Sequence, residues 1–394
     1  MTLKGKLIIT RFRDGIATAL YHDGKAAELS FERETQAPLL GNIYIGKVQN
    51  VVKNIQAAFV EIEEGIPCYL PLSEDAEPIF TNKMNSERLV AQDELLVQIA
   101  RESVKTKAPT VTANISLPGK YLVLTSGKQQ TGVSAKVSKK ERERLLALSE
   151  SFPTGKFGWI LRTNAAEAYP EEICREAQAL AERFEALCRA AQHRTCRSCL
   201  YRSPAAWLVH LKDIRQSECE EIITDDAKLY EKLQTYLSEN MPEDLTKLSF
   251  YEDRLLPLYK LYSLESAFDE ALRERVWLKS GAYLVIQPTE ALTVIDVNTG
   301  KCERGKKAAD TFRRINLEAA REAARQIRLR NLSGIILIDF INMDSKEDEQ
   351  QLLAALDAEL QKDPVKAYAV DITKLGLAEI TRRRVQKPLA EMMR

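Results

Sequence analysis

The sequence predicts an α/β protein of several subdomains, and three observations carry that expectation. At 394 residues the chain is long enough for more than one core. Gly41 to Ile115 reads as short strands at close intervals, the grammar of a small β-barrel. Near the C-terminus a strand, a helix and a second strand follow one another, and each strand stops on an aspartate.

Lys4 to Glu34 alternates as antiparallel strands do, in Leu7-Ile8-Ile9-Thr10 and Ile16-Ala17-Thr18-Ala19-Leu20, with Asp14-Gly15 and Asp23-Gly24 as turns. This piece is too short to stand alone. Ile43 to Val48, Ala57 to Ile62, Cys68 to Leu70 and Glu94 to Ile99 are the barrel strands. After Pro118-Gly119 come the strand Tyr121 to Leu124, a charged helix, and the strand Gly158 to Leu161 ending at Arg162-Thr163. A helix rich in Ala and Glu runs from Tyr169 to about Ala191, and Pro204 to about Ala271 is mixed and polar. No repeat of fixed period and no low-complexity tract interrupts the chain.

The last segment holds the most informative pattern. Leu292-Thr293-Val294-Ile295-Asp296-Val297-Asn298 and Ile335-Ile336-Leu337-Ile338-Asp339-Phe340-Ile341-Asn342 are both apolar, β-branched runs interrupted by a carboxylate. Between them, Asn316 to Arg330 places Leu317, Ala320, Ala324 and Ile327 at helical spacing, ends in Arg328 and Arg330, and is followed by Gly334. A crossover helix returns the chain to the same sheet, so Asp296 and Asp339 are expected to meet at strand ends. Either aspartate alone reads as a turn cap or an arginine partner. Together they favour a hard-cation site, because Mg²⁺ takes carboxylate oxygens and keeps several waters; the residues do not distinguish Mg²⁺ from Mn²⁺.

Composition narrows the alternatives. The chain is 45% hydrophobic and 29% charged. It has no apolar run long enough to span a bilayer and no signal-peptide pattern after Met1, so a soluble cytoplasmic protein without membrane contact is expected. A formal net charge of +0 argues against binding nucleic acid through bulk charge, but Arg101 to Arg144 is basic while Glu61 to Glu94 is acidic. His22, His193 and His210 form no cluster, which disfavours a histidine triad or a zinc hydrolase. Cys196-Arg197-Ser198-Cys199 is a lone CxxC without a second, so structural Zn²⁺ is not expected from it.

Several segments together closely resemble the bacterial ribonuclease E/G family. They are Thr289 to Gly300, Asn316-Leu317-Glu318-Ala319-Ala320, Arg325 to Leu332 and Ile338-Asp339-Phe340-Ile341. The likeness extends to Gly41 to Tyr44, Gln56 to Val60, Tyr121 to Leu124, Arg162-Thr163 and Leu375 to Arg382. It implies an RNase H-like fold (1–35 and 204–271) interrupted by an S1-like OB-fold barrel (36–116) and a 5′-end sensor (117–203), then a DNase I-like catalytic subdomain (272–394). The orphan N-terminal strands would then pair with material after Pro204.

The activity implied is Mg²⁺-dependent endonucleolytic hydrolysis of single-stranded RNA, in RNA processing and decay, with a preference for 5′-monophosphorylated substrates. By the resemblance, Asp296 and Asp339 hold the metal and Asn298 orients water or phosphate oxygens; locally, Asn298 reads equally as an Asx turn. Phe59 and Tyr69 match base-stacking positions, and Lys107 and Lys366 match RNA-contacting ones. Arg162 and Thr163 match the sensor of a terminal phosphate, although Arg162 by itself reads as a surface ion-pair residue.

Some positions depart from the family pattern. Asn342 stands where many members carry a second Asp, Ala108 replaces a common glycine after Lys107, and Ala135-Lys136 replaces paired arginines. Arg394 is the last residue before the point where many members carry a CPxC pair, so a homodimer, if formed, is expected without the zinc link. The alternative function is an RNA-binding protein with little or no cleavage, acting in ribosomal RNA maturation.

Overall fold

The computed structural model describes residues 5–34, 39–72, 77–83, 88–101, 108–127, 129–253, 255–300, 308–343 and 345–394. The chain forms two compact units: Met1–Glu34 with Ser217–Thr235 and Glu243–Arg394, and Thr35–Gln216 with Tyr236–Pro242. Each is a mixed α/β structure.

The first unit contains two sheets. One runs in the order Leu248–Phe250, Glu221–Thr224, Gly5–Phe12, Gly15–His22 and Lys25–Arg33, so the N-terminal hairpins are completed by two later strands lying parallel to the first. Asp23 and Gly24 both adopt positive φ (48° and 75°), as the two central residues of a tight hairpin turn require. In the preceding turn Arg13 takes the left-handed conformation. Gly15 is required there for a different reason: a Cβ would overlap the carbonyl oxygen of Glu32 on the next strand. Ile8, Phe12, Phe31, Leu264 and Phe268 form the core of this part.

The second sheet has the order Arg275–Trp277, Tyr283–Pro288, Leu292–Asn298, Gly334–Asp339, Leu377–Arg382 and Ala367–Ile372. Its central pair, Leu292–Asn298 and Gly334–Asp339, is parallel and is joined by the helix Ala308–Leu329. That helix begins eight residues earlier than the apolar spacing indicates, because in its first turns (Ala308 to Arg314) Phe312 is the one large apolar residue, too little for a periodic signal. Alternation sorts the sheet into two faces. Thr293, Ile295, Val297, Ile336 and Ile338 are buried, and the apolar ones pack with Ala319, Ala320 and Ile327 of the crossover helix and Leu352 and Leu356 of Lys346–Leu360. The opposite face, with Val294, Asp296, Asn298, Leu337 and Asp339, stays half-buried or exposed.

The second unit contains a closed barrel. Ile43–Val52, Ala57–Glu63, Ile66–Pro71, Thr110–Thr112 and Glu94–Arg101 pair in that order, and Ile43–Val52 also pairs with Glu94–Arg101, which closes the five strands. Closure needs Gly46, because a Cβ there would overlap Val60 and crowd Val97. Tyr44, Val48, Val60, Leu70, Leu95, Val97 and Val111 fill the interior. A four-stranded sheet follows, ordered Thr131–Val133, Gly158–Leu161, Leu122–Thr125 and Ser116–Pro118. The helix Pro170–Ala191 covers it with Ile173, Ala177, Leu180, Ala181, Phe184 and Leu187, a stripe at helical spacing. No helix among the described residues is long and apolar enough to cross a membrane.

Candidate functional site

Asp296 and Asp339 are register partners on neighbouring parallel strands. Register partners project to the same face, here the open one, so the two carboxylates stand side by side, with backbones about 5 Å apart. Asp339 is exposed and Asp296 half-buried. Neither forms an ion pair with a described residue; the polar contact of Asp296 is the Asn298 amide, whose Nδ2 donates to its Oδ2 at 2.7 Å. Asn298 lies two residues further along the same strand and face, so this bond fixes its side chain over the pair. Two like charges directly opposite each other repel. Only Asp339 ends its strand, while the strand of Asp296 runs on to Asn298; a sheet face that keeps both carboxylates without an ion-pair partner among the described residues is poor as a structural device and well suited to a cation.

The backbone beyond Asp339 is held by a residue that sequence reasoning missed. Asn316, fully buried in the crossover helix, donates through Nδ2 to the Ile341 carbonyl at 2.7 Å and accepts from the Ile341 amide at 3.1 Å. The signal available was an amide at a position otherwise reserved for apolar residues, next to Ile315. Lys366 is not brought to the carboxylates. It precedes Ala367, which pairs with Arg382 across from Gly334, so it lies two strands over and beyond the far end of the Gly334–Asp339 strand, with its backbone about 20 Å from that of Asp339.

On the barrel, Phe59 and Tyr69 are register partners on adjacent strands. Their rings meet edge to face with centroids 6.2 Å apart. Both are half-buried on the outer side, while their neighbours Ala58, Val60, Cys68 and Leu70 point inward. An aromatic pair on the outside of a barrel offers π faces rather than core volume. Lys107 lies outside the described residues, as does Cys302.

Arg162 ends the strand Gly158–Leu161, and its guanidinium is engaged within its own unit. Nη1 donates to the Gly119 carbonyl at 2.8 Å and Nη2 pairs with Asp213. The turn carrying Gly119 is pinned by Glu176, whose carboxylate accepts the backbone N–H groups of Lys120 (2.6 Å), Tyr121 and Leu122 (both 2.8 Å). Burial pushes the Glu176 carboxyl up, against those three hydrogen bonds and the Lys212 charge. Lys212 is itself buried, donates to the Pro118 carbonyl at 2.8 Å, and is drawn down to about 8 by desolvation. Thr163 Oγ1 lies 3.2 Å from Ser134 Oγ. The Thr163 and Ser134 hydroxyls thus meet each other, while the Arg162 guanidinium is held by Gly119 and Asp213. Asp213 is 51 residues from Arg162 in sequence, and no local pattern pointed to it.

Cys196 and Cys199 are free thiols, with the Cys199 sulfur 3.4 Å from the Tyr201 carbonyl. Among the described residues no three His, Cys, Asp or Glu side chains gather in a metal-binding group.

These features define a mixed α/β protein with a closed five-stranded barrel and an in-register carboxylate pair on an open sheet face. The chain belongs to the Ribonuclease E/G family, whose model matches residues 116–385. Ribonuclease G of Escherichia coli (strain K12) is 34% identical over 381 residues, covering 94% of this chain and 78% of that protein. Ribonuclease G of Haemophilus influenzae is 33% identical over 386 residues, covering 95% and 78%. Ribonuclease E of Nostoc sp. is 35% identical over 362 residues, 90% of this chain and 52% of that longer protein.

Proposed function

We propose that this chain is an endoribonuclease of RNA processing and decay, hydrolysing single-stranded RNA at the face that carries Asp296, Asn298 and Asp339, with Mg²⁺ as its ion and Mn²⁺ as a substitute. The observation that carries this reading is the in-register Asp296/Asp339 pair, without an ion-pair partner among the described residues, in a chain of the Ribonuclease E/G family. The donor set fits: Mg²⁺ is held through one or two carboxylates and otherwise by waters and substrate phosphate oxygens.

Each residue has a separate task. Asp339, exposed, and Asp296, oriented by Asn298, would hold the ion. When bound, Mg²⁺ polarises the phosphate and makes water a better nucleophile. One N–H of Asn298 is committed to Asp296, which leaves the other to donate to a phosphate oxygen and Oδ1 to accept from the attacking water. Without a cation the two carboxylates would repel a phosphodiester. No side-chain nucleophile is needed for in-line attack of water.

The subdomain reading goes with this assignment. Residues 1–35 and 204–271 are read as RNase H-like, 36–116 as the OB barrel, 117–203 as the 5′-end sensor and 272–394 as DNase I-like. Phe59 and Tyr69 would stack unpaired bases, with Lys107 and Lys366 contacting the backbone away from the reacting phosphate. Arg162 and Thr163 would take a terminal phosphate, using the Arg162 Nε, which has no partner among the described residues, and the Thr163 hydroxyl. The test offers matched single-stranded RNA and DNA to wild type and Asp296→Asn in Mg²⁺. RNA cut by wild type alone is the expected result; RNA bound and left intact across metals would replace the enzyme with a binding protein.

A further inference from the structure

Across the open face of the catalytic sheet, Trp277, Tyr283 and Asn298 are successive register partners on three adjacent strands. They form one row, and Asp296 and Asp339 belong to the next row of the same face. At the strand spacing of a sheet, Trp277 stands about 10 Å from Asn298. Its ring is 5.0 Å from that of Tyr283, centroid to centroid, inclined at 56°. Arg275, two residues before Trp277 on the same face, holds its guanidinium 4.4 Å from the Tyr283 ring and 5.9 Å from the Trp277 ring.

Trp277 is 59% exposed, whereas the other two tryptophans of the chain, Trp159 and Trp207, are 4% and 3% exposed. The hairpin that carries it is nevertheless rigidly held. Lys279 N donates to Glu318 Oε1 at 2.8 Å, Leu278 N to the Ala282 carbonyl at 2.8 Å, and a Cβ on Gly300 would overlap the Gly281 carbonyl. The strand that ends in Asn298 therefore continues directly against this hairpin. An exposed indole on a strand of an anchored hairpin, backed by a second ring and a guanidinium with no carboxylate partner among the described residues, is built to meet an anionic, aromatic ligand.

We propose that Trp277, Tyr283 and Arg275 form a nucleotide subsite beside the carboxylate pair: the indole stacks one unpaired base of single-stranded RNA next to the reacting phosphate, and Arg275 supplies positive charge to its backbone. This rests on the ribonuclease reading for the identity of the ligand, and deepens it by assigning a position that grips the substrate at the cleavage face rather than on the barrel.

The test uses the full chain carrying Asp296→Asn, in EDTA, with a short unstructured RNA. Trp277 dominates iodide-quenchable tryptophan fluorescence, and RNA is expected to quench and shield it, whereas duplex RNA is not. Trp277→Ala in the same background should weaken RNA binding about tenfold, the scale of one base–aromatic stack, and Trp277→Phe should recover most of that loss. With Asp296 intact, Trp277→Ala should raise KM and leave kcat nearly unchanged. RNA that binds with equal affinity to the alanine variant and leaves the fluorescence unaltered overturns the subsite, while loss of cleavage in Asp296→Asn would leave the ribonuclease reading standing. Quenching without any cleavage by the parent protein would do the reverse. Failure of RNA to bind overturns the subsite. So does an indole already shielded in free protein that sediments as a dimer, which would make this surface an interface between copies.

Discussion

Removing one carboxylate from the candidate site should stabilise the protein in the absence of divalent ions. Asp296 and Asp339 sit opposite each other on adjacent strands without a described ion-pair partner, and one is exposed. Two charges about 5 Å apart repel by about 1 kcal/mol in a water-like dielectric, and partial burial raises this while salt lowers it. Asp339→Asn removes the repulsion and keeps size and hydrogen-bonding capacity. In EDTA at low salt the variant should therefore gain about 1 kcal/mol, or about 2 to 4 °C in Tm for a unit of this size. The gain should shrink at high ionic strength. Added Mg²⁺ should raise the Tm of wild type more than that of the variant, because only wild type keeps both carboxylates for the ion. Differential scanning calorimetry at two salt concentrations, with EDTA or Mg²⁺, reads all of this. An unchanged or lower Tm for Asp339→Asn in EDTA would refute the repulsion argument, and with it the claim that this pair is held in an unfavourable state for function.

Arg162→Ala should abolish any preference for 5′-monophosphate over 5′-hydroxyl RNA, measured as the ratio of kcat/KM values, while leaving cleavage of 5′-hydroxyl substrate nearly unchanged. Gly119→Ala should destabilise the protein by about 2 kcal/mol in urea unfolding, because the new methyl would overlap a Glu176 carboxylate already tied to three backbone amides. Lys212 gives a pH signature. Its folded value near 8 lies below its ordinary 10.5, so between those limits the unfolded chain binds more protons and stability rises with pH. From pH 8 to 9.5 the gain at this site should be on the order of 1 to 2 kcal/mol, read as the difference in unfolding free energy between wild type and Lys212→Met across that interval.

The strand–helix–strand unit was legible because each of its parts has a local signature. Two β-branched runs, apolar residues at helical spacing and a terminal Gly334 specify a crossover unit, and the crossover brings Asp296 and Asp339 together. The barrel strands were legible for the same reason. Long-range partners were not. The parallel pairing of Gly5–Phe12 with Glu221–Thr224 has no local signal and was expected only from the family resemblance. Asp213 and Glu176 reach Arg162 and its supporting turn through the fold alone. The strand Arg275–Trp277 is three residues long, too short for alternation to announce it, so the exposed indole beside the carboxylates appears only once the register is known.

At Arg162 the plain reading and the proposed one are compatible. Arg162 does form the ion pair that an isolated arginine most often forms, here with Asp213. That pair positions the guanidinium, and its remaining donors and the Thr163 hydroxyl are what a terminal phosphate would meet.

The most direct test of the account is the cleavage rate of a single-stranded, 5′-monophosphorylated RNA in Mg²⁺ by wild type, Asp296→Asn, Asp339→Asn and the double variant, each verified as folded. Two carboxylates that act as one unit predict a loss of about a hundredfold or more in either single variant and no further loss in the double. Wild-type rates in either single variant, or losses that multiply in the double, would contradict a shared site at Asp296 and Asp339.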